Sequence, residues 1–412
     1  MSRRLPTELL ILIIGFTPVE ALYALRPANR ALRALATPEA FRAVGCTGTV
    51  KSTAGMLNLL ASELRVHVEE VHYCDWYATK ESETTDLSPE QGDEELLRIN
   101  LGSALALLHT LPSLHTLSLT FAPIHDGNPL PAHVELQFAL FEMIAKLSPA
   151  PALRTFVLES LLPFPDFPGT DPRFLSIMDS LRGLTITAAS ESIEGAISQD
   201  PITAFFTASL PPVLDAPRRT LTSLTLVYDE DAGLPRIVLG GLHYPQLERL
   251  ALTSVLFDEY TGVEAFIIAH AATLLYLDLA QCKIALEEST FVPPRTWTHI
   301  YGAFSERLER LTHLEVIDEA ESVDEGTDHE SGVSFKGRPI RYMEWFWNVG
   351  WRSWFEEDQE FSEDEDEGMG EDSGAGSGVV RMTPAIQAVA GDEDALDAFI
   401  KVVRERAASR TE

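Results

Sequence analysis

Arg249, Tyr276, Asp278 and His313 are the residues of this 412-residue chain best equipped to grip another molecule. Arg249, Tyr276 and His313 each stand immediately before a leucine, and Asp278 stands between Leu277 and Leu279. Arginine and tyrosine are enriched at the energetic centres of interfaces, and aspartate and histidine add a charge and a titratable ring. The chemistry such a set supports is recognition. Motifs for turnover are missing: the sequence holds no H-E-x-x-H, G-x-S-x-G or G-x-x-x-x-G-K. His67 and His72 lie near one predicted strand without cysteine or acidic partners at ligand spacing, and Asp229-Glu230-Asp231 reads as a solvated turn. The expectation is a non-catalytic protein with no catalytic residues, no metal and no cofactor.

A repeat supplies the elements that would position these residues. The pattern L-x-x-L-x-L occurs at Leu114/Leu117/Leu119, Leu153/Phe156/Leu158, Leu181/Leu184/Ile186 and Leu221/Leu224/Leu226. It continues at Leu247/Leu250/Leu252, Leu274/Leu277/Leu279 and Leu311/Leu314/Val316, with a weaker copy at Val68/Val71/Tyr73. Strand side chains alternate with period two, so the last two apolar residues of each copy share one face. The residues that alternate with them share the other, which is where Arg249, Tyr276, Asp278 and His313 fall. Helix-like stretches lie between the copies: 54–64, 96–111, 131–147, with Leu136, Leu140, Ile144 and Leu147 at helical spacing, and 261–272. One strand and one helix per unit cannot bury its own apolar face, and stacking neighbours can.

The stretch Leu274–Ile284 resembles the leucine-rich-repeat consensus L-x-x-L-x-L-x-x-C-x-L, with Cys282 in the cysteine slot and Ile284 in the last. Other copies depart from it, with Ala122, Leu161 and Val255 in the cysteine slot. The copies start 39, 28, 40, 26, 27 and 37 residues apart, against about 20–29 in regular arrays. The resemblance implies an α/β solenoid, a curved parallel sheet with outer helices, irregular and interrupted by insertions such as 163–172 and 199–219.

Ahead of the repeats, Leu5-Pro6-Thr7-Glu8-Leu9 matches the L-P-x-E-[LI] opening of the F-box family. Ile13, the Pro18-started second segment, Leu22 and Leu25 continue the match. Ala28–Leu32 keeps only a basic residue and an apolar position, and Phe41 follows Thr37-Pro38 where the family prefers tryptophan. This F-box resemblance implies a short α-helical head in which Leu5, Pro6, Leu9, Ile13, Leu22 and Phe41 contact the Skp-family adaptor of a cullin–RING ubiquitin ligase. The chain would then be the substrate-recognition subunit of an SCF-type complex, with the cullin scaffold as a further partner. An unidentified protein substrate would lie on the concave face at Arg249, Tyr276, Asp278 and His313. The alternative is a leucine-rich-repeat scaffold without ligase association. Read by helical spacing alone, Leu9, Ile13 and Phe16 share one face and Leu10 and Ile14 an adjacent strip, so one strip can pack inward while the other meets a partner.

Composition narrows the partners. The chain exceeds the ~250–300 residues at which single cores stop growing. Its net charge is −32, and residues 318–372 carry 19 acidic against 4 basic side chains. Phosphate backbones and anionic membrane surfaces repel such a chain, so neither nucleic acid nor membrane is an expected partner. Arg3 and Arg4 precede an apolar run as in a secretion signal, but Leu9–Phe16 spans only eight residues, against roughly 20 for a membrane span. Helical patterning resumes at Leu22 and Leu25 without a small-residue cleavage site between. Three scattered cysteines with no CxxC pair fit a reducing compartment, cytoplasmic or nuclear.

The expected order is an F-box-like head over 3–43, the repeat region over 44–317 and a tryptophan-rich cap over 318–355, with Trp347, Trp351 and Trp354 on one helical face. An acidic and Gly/Ser-rich disordered linker over 356–384 follows, since 356–372 packs 11 carboxylates into 17 residues. A C-terminal amphipathic helix over 385–412 closes the chain. Leu396, Phe399, Ile400 and Val403 give it an apolar face able to dock back onto the repeats.

Overall fold

The computed structural model describes residues 5–75, 91–121, 131–164, 167–188, 204–228, 237–285, 295–317, 342–346, 350–353 and 384–411. The chain divides into two compact units, Met1–Leu221 and Thr222–Glu412, so the region read as one repeat array is shared between them. Among the described residues no helix is long and apolar enough to cross a membrane. The fold class is α/β; among the described residues, nine parallel strands run in chain order, five in the first unit and four in the second.

The first unit opens with helices α1 (Thr7–Gly15), α2 (Val19–Leu25) and α3 (Arg30–Ala40). Pro6 and Pro18 stand just before α1 and α2 with φ near −55°, a position where the missing N–H costs nothing. Asn29 caps α3, its Oδ1 accepting from the Leu32 N–H at 2.8 Å. Ile14, Leu22, Ala36, Ala40 and Phe41 form the shared core of this head, with Leu25 and Leu35 against it.

Five strands follow: β1 (Ala43–Thr47), β2 (Glu70–Cys74), β3 (Thr116–Thr120), β4 (Thr155–Leu161) and β5 (Gly183–Ala188). Their connections carry α4 (Val50–Leu60), α5 (Gln91–Ala106), α6 (Pro131–Ala145) and α7 (Pro172–Met178), and α8 (Leu210–Asp215) follows β5. Parallel pairing requires such crossovers. The register places equivalent repeat positions side by side: Val71, Leu117, Phe156 and Leu184 form one row. Leu117, Leu158 and Ile186 are wholly buried, and each fully buried aliphatic side chain contributes about 1.5–3 kcal/mol. The supposed insertions at 163–172 and 199–219 carry helical turns, including α8 and a five-residue π-helical turn at Phe205–Ser209. Strand β1 was not expected; its burial alternates along only two inward side chains, Val44 and Cys46, too short a pattern to stand out.

The second unit holds the parallel strands β6 (Ser223–Tyr228), β7 (Arg249–Thr253), β9 (Tyr276–Ala280) and β11 (His313–Ile317). Leu224, Leu250, Leu277 and Leu314 again lie in one row. A second sheet, ordered β13-β12-β10-β8, is made of β8 (Leu256–Phe257), β10 (Lys283–Ala285), β12 (Tyr342–Phe346) and β13 (Gly350–Ser353). The tryptophan-rich segment is thus strand rather than helix wherever it is described, with Trp345 opposite Trp351 in an antiparallel pair. Aromatic runs favour pleated structure. Trp347, Trp354 and the acidic linker up to residue 383 lie outside the described residues.

Three chain bends share one phase of the repeat. Ser160, Ser254 and Gln281 all have φ between 51° and 54°, each two residues beyond the last apolar residue of its copy. Left-handed backbone is costly for any residue with a Cβ, of order 1 kcal/mol, so its return at the same phase marks a turn that these three copies share. Leu161, Val255 and Cys282 follow these bends and are buried. The Cys282 thiol donates to the Leu252 carbonyl at 3.5 Å, tying one copy to the preceding one.

Helix α9 (Val263–Ala269) ends at His270, which is buried. Its Nε2 accepts from the Tyr244 N–H at 2.8 Å and its Nδ1–H donates to the Phe266 carbonyl at 2.7 Å. Burial holds the imidazole pKa below its usual range, with His243 pushing the same way and the Phe266 bond opposing. The proton therefore binds the unfolded chain more readily, so the contribution is complete above about pH 6.5 and is lost as pH falls through the lowered folded value. His270→Ala is expected to cost about 1–3 kcal/mol at pH 7.5, because the Tyr244 N–H loses its acceptor. Denaturant melts of both proteins at pH 7.5 and 5 should show that gap narrowing in acid.

Candidate functional site

The register of β7, β9 and β11 brings the four residues singled out in the sequence together. Arg249, Tyr276 and His313 are direct cross-strand neighbours, and the next row on the same face is Ala251, Asp278 and Glu315. Leucines on the opposite face anchor the strands, so these side chains stand on hydrogen-bonded backbone. The Arg249 guanidinium lies over the Tyr276 ring, 4.3 Å from its centroid, a cation–π contact. The other neighbour of Tyr276 is His313, with ring centroids 5.5 Å apart.

His313 also reaches the second row. Its Nε2 is 3.6 Å from Asp278 Oδ1 and 3.8 Å from Glu315 Oε2. Asp278 Oδ1 is buried without a hydrogen-bond partner. Burial pushes the Asp278 carboxyl pKa up, with Glu315 adding to the rise and His313 and Arg249 opposing it. The arrangement offers a cationic and aromatic grip beside the partly desolvated Asp278 carboxylate and the exposed Glu315. Glu315 was not singled out in the sequence. The available signal was its slot: like Asp278, it sits between the two apolar residues of its copy.

A second surface lies in the first unit. Leu5, Leu9, Ile11, Leu12 and Ile13 are each between 45% and 56% exposed, and Phe16 is 87% exposed. Ile14 is buried and Leu10 half-buried, so the Leu10/Ile14 strip faces the head's own core and the Leu9/Ile13/Phe16 strip faces outward. Pro6 is exposed at the start of α1. Leu22 and Phe41 are placed differently from the expected contact set. Both are buried in the head core, where Tyr23 packs edge-on against Phe41 at 5.7 Å and the Arg26 guanidinium lies 4.5 Å from its ring centroid. Val19 and Tyr23, which spacing did not single out, are exposed as well. Exposed apolar side chains gathered along one helix face are a mark of interaction sites.

The other histidines noted in the sequence make no comparable group. His72 Nε2 approaches Glu70 at 3.4 Å, and the same Glu70 pairs with Arg42 at 2.6 Å. Asp229-Glu230-Asp231 lies outside the described residues. No protein-family model matches this chain, and no curated protein matches it.

Proposed function

We propose that the chain is a non-catalytic substrate receptor of an SCF-type ubiquitin ligase, with an F-box head on an irregular leucine-rich-repeat solenoid. The observation that carries the reading is the outward apolar face of α1. Leu5, Leu9, Ile13 and Phe16 stay exposed while the neighbouring strip completes a core, and the L-P-x-E-L opening leads directly into that same helix. These side chains are the surface offered to the Skp-family adaptor, with the cullin scaffold joined through it; Leu22 and Phe41 support that surface from beneath. The recurrent left-handed bends and the Cys282 contact favour stacked leucine-rich repeats over an ordinary sheet domain. A protein target is held on the strand face around Arg249, Tyr276, Asp278 and His313. The place of action is the cytoplasm or nucleus, where that ligase machinery works.

Proximity labelling with the full chain, with and without proteasome inhibition, tests both halves of the reading. The adaptor and cullin should be labelled in either condition, and one or more further proteins should accumulate on inhibition. Those targets should be lost when Arg249 and Tyr276 are both changed to alanine, while the adaptor remains. Labelling that is unchanged by inhibition and lacks the adaptor would favour a repeat scaffold outside any ligase.

A further inference from the structure

We propose that Asp278, His313 and Glu315 form a binding site for one divalent transition-metal cation, best suited to Zn2+. The proposal does not depend on the ligase reading. One ligand atom from each residue, a ring nitrogen of His313 and a carboxylate oxygen from each acid, can be chosen so that all three lie within 4.8 Å of one another. Zinc binds nitrogen and oxygen at about 2.0–2.2 Å, which places tetrahedral ligand atoms about 3.4 Å apart. The observed separations of 3.6 and 3.8 Å from the imidazole close to that value by small side-chain rotations.

The backbone already holds the three residues in place. Asp278 and Glu315 are registered partners on β9 and β11, and His313 lies two residues from Glu315 on the same strand face. Like charges directly opposite one another in a sheet destabilise it. The separations from His313 exceed hydrogen-bond length, and Asp278 Oδ1 is buried with no donor. A cation seated between the three groups satisfies that oxygen and removes the repulsion. An imidazole ligand favours zinc over calcium or magnesium, which prefer all-oxygen sets. Three protein ligands leave one position open, and Arg249 and Tyr276 stand on the same strand face as the three ligands. A bound partner's carboxylate or imidazole, or water, fills the open position.

The test is calorimetric titration of Zn2+ into the metal-free full-length chain, alongside Asp278→Asn and His313→Ala. Circular dichroism should show all three proteins folded, because the changed side chains lie on the exposed face. Wild type is expected to bind one equivalent with micromolar or tighter affinity, above weak binding by the acidic stretch. Each variant should lose at least tenfold in affinity, and Co2+ loaded into wild type alone should give the visible spectrum of a nitrogen-ligated site. A one-equivalent site that survives in both variants, or its absence from wild type, overturns the proposal.

Discussion

Phe399→Ala is expected to destabilise the second unit by about 3–5 kcal/mol, the range for removing a fully buried phenylalanine. The reason is the way helix α11 (Pro384–Thr411) grips helix α10 (Trp297–Arg307). Phe399 is fully buried and packs against Tyr301 and Phe304, with ring centroids 6.2 Å away in both cases. Val403, one turn on, is buried beside it. Polar contacts fix both ends. Asp392 accepts from the Thr298 N–H at 2.7 Å and its hydroxyl at 2.8 Å, placing a carboxylate at the N-terminus of α10 where the helix dipole favours it. Arg406 donates to the carbonyls of Leu308 and Ser305 at the other end, at 3.0 and 2.6 Å. Asp392→Ala alone should cost about 1–2 kcal/mol, as for loss of a helix cap. Denaturant unfolding of the full chain, followed by tryptophan fluorescence, measures both losses. Losses below about 1 kcal/mol for Phe399→Ala would mean that α11 is a dispensable appendage.

The second large effect is on binding rather than folding. Leu9→Asp with Ile13→Asp should leave stability within about 0.5 kcal/mol of wild type, since both side chains are exposed and surface changes are usually that small. Adaptor affinity should nevertheless fall at least a hundredfold. Central apolar anchors of an interface are worth about 2 kcal/mol or more each, and about 1.4 kcal/mol is tenfold in affinity. Ile14→Asp serves as the contrast. That side chain belongs to the head core, so the change should unfold the head and reduce binding through loss of structure. Melting curves read beside pull-down yields separate the two mechanisms. Equal binding by wild type and the double variant would remove α1 as the contact.

Much of this arrangement is legible in the sequence because it rests on periodicity. All seven L-x-x-L-x-L copies coincide with strands, from β3 at Thr116 to β11 at His313, since burial of alternate residues leaves a period-two trace. The two strips of α1 are legible for the same reason at helical spacing. The C-terminal helix is likewise legible, and its apolar face does dock. What escapes the sequence is partnership between distant segments. The strands of the second sheet are two to five residues long, too short for alternation to declare itself. That Thr298 lies against Asp392 depends on tertiary packing, which no local pattern encodes. Glu315 joins the site through register with Asp278. Leu22 and Phe41 share the apolar character of the surface residues, and only the packing of three helices decides that they turn inward.

The exposed face of α1 is the feature on which the functional reading stands, and direct binding of purified full-length chain to purified Skp-family adaptor probes it most directly. Isothermal titration at micromolar concentrations should give a one-to-one complex for wild type and none for Leu9→Asp with Ile13→Asp. No heat and no co-elution for folded wild type at those concentrations would contradict the ligase reading and leave a repeat protein whose apolar helix serves another partner.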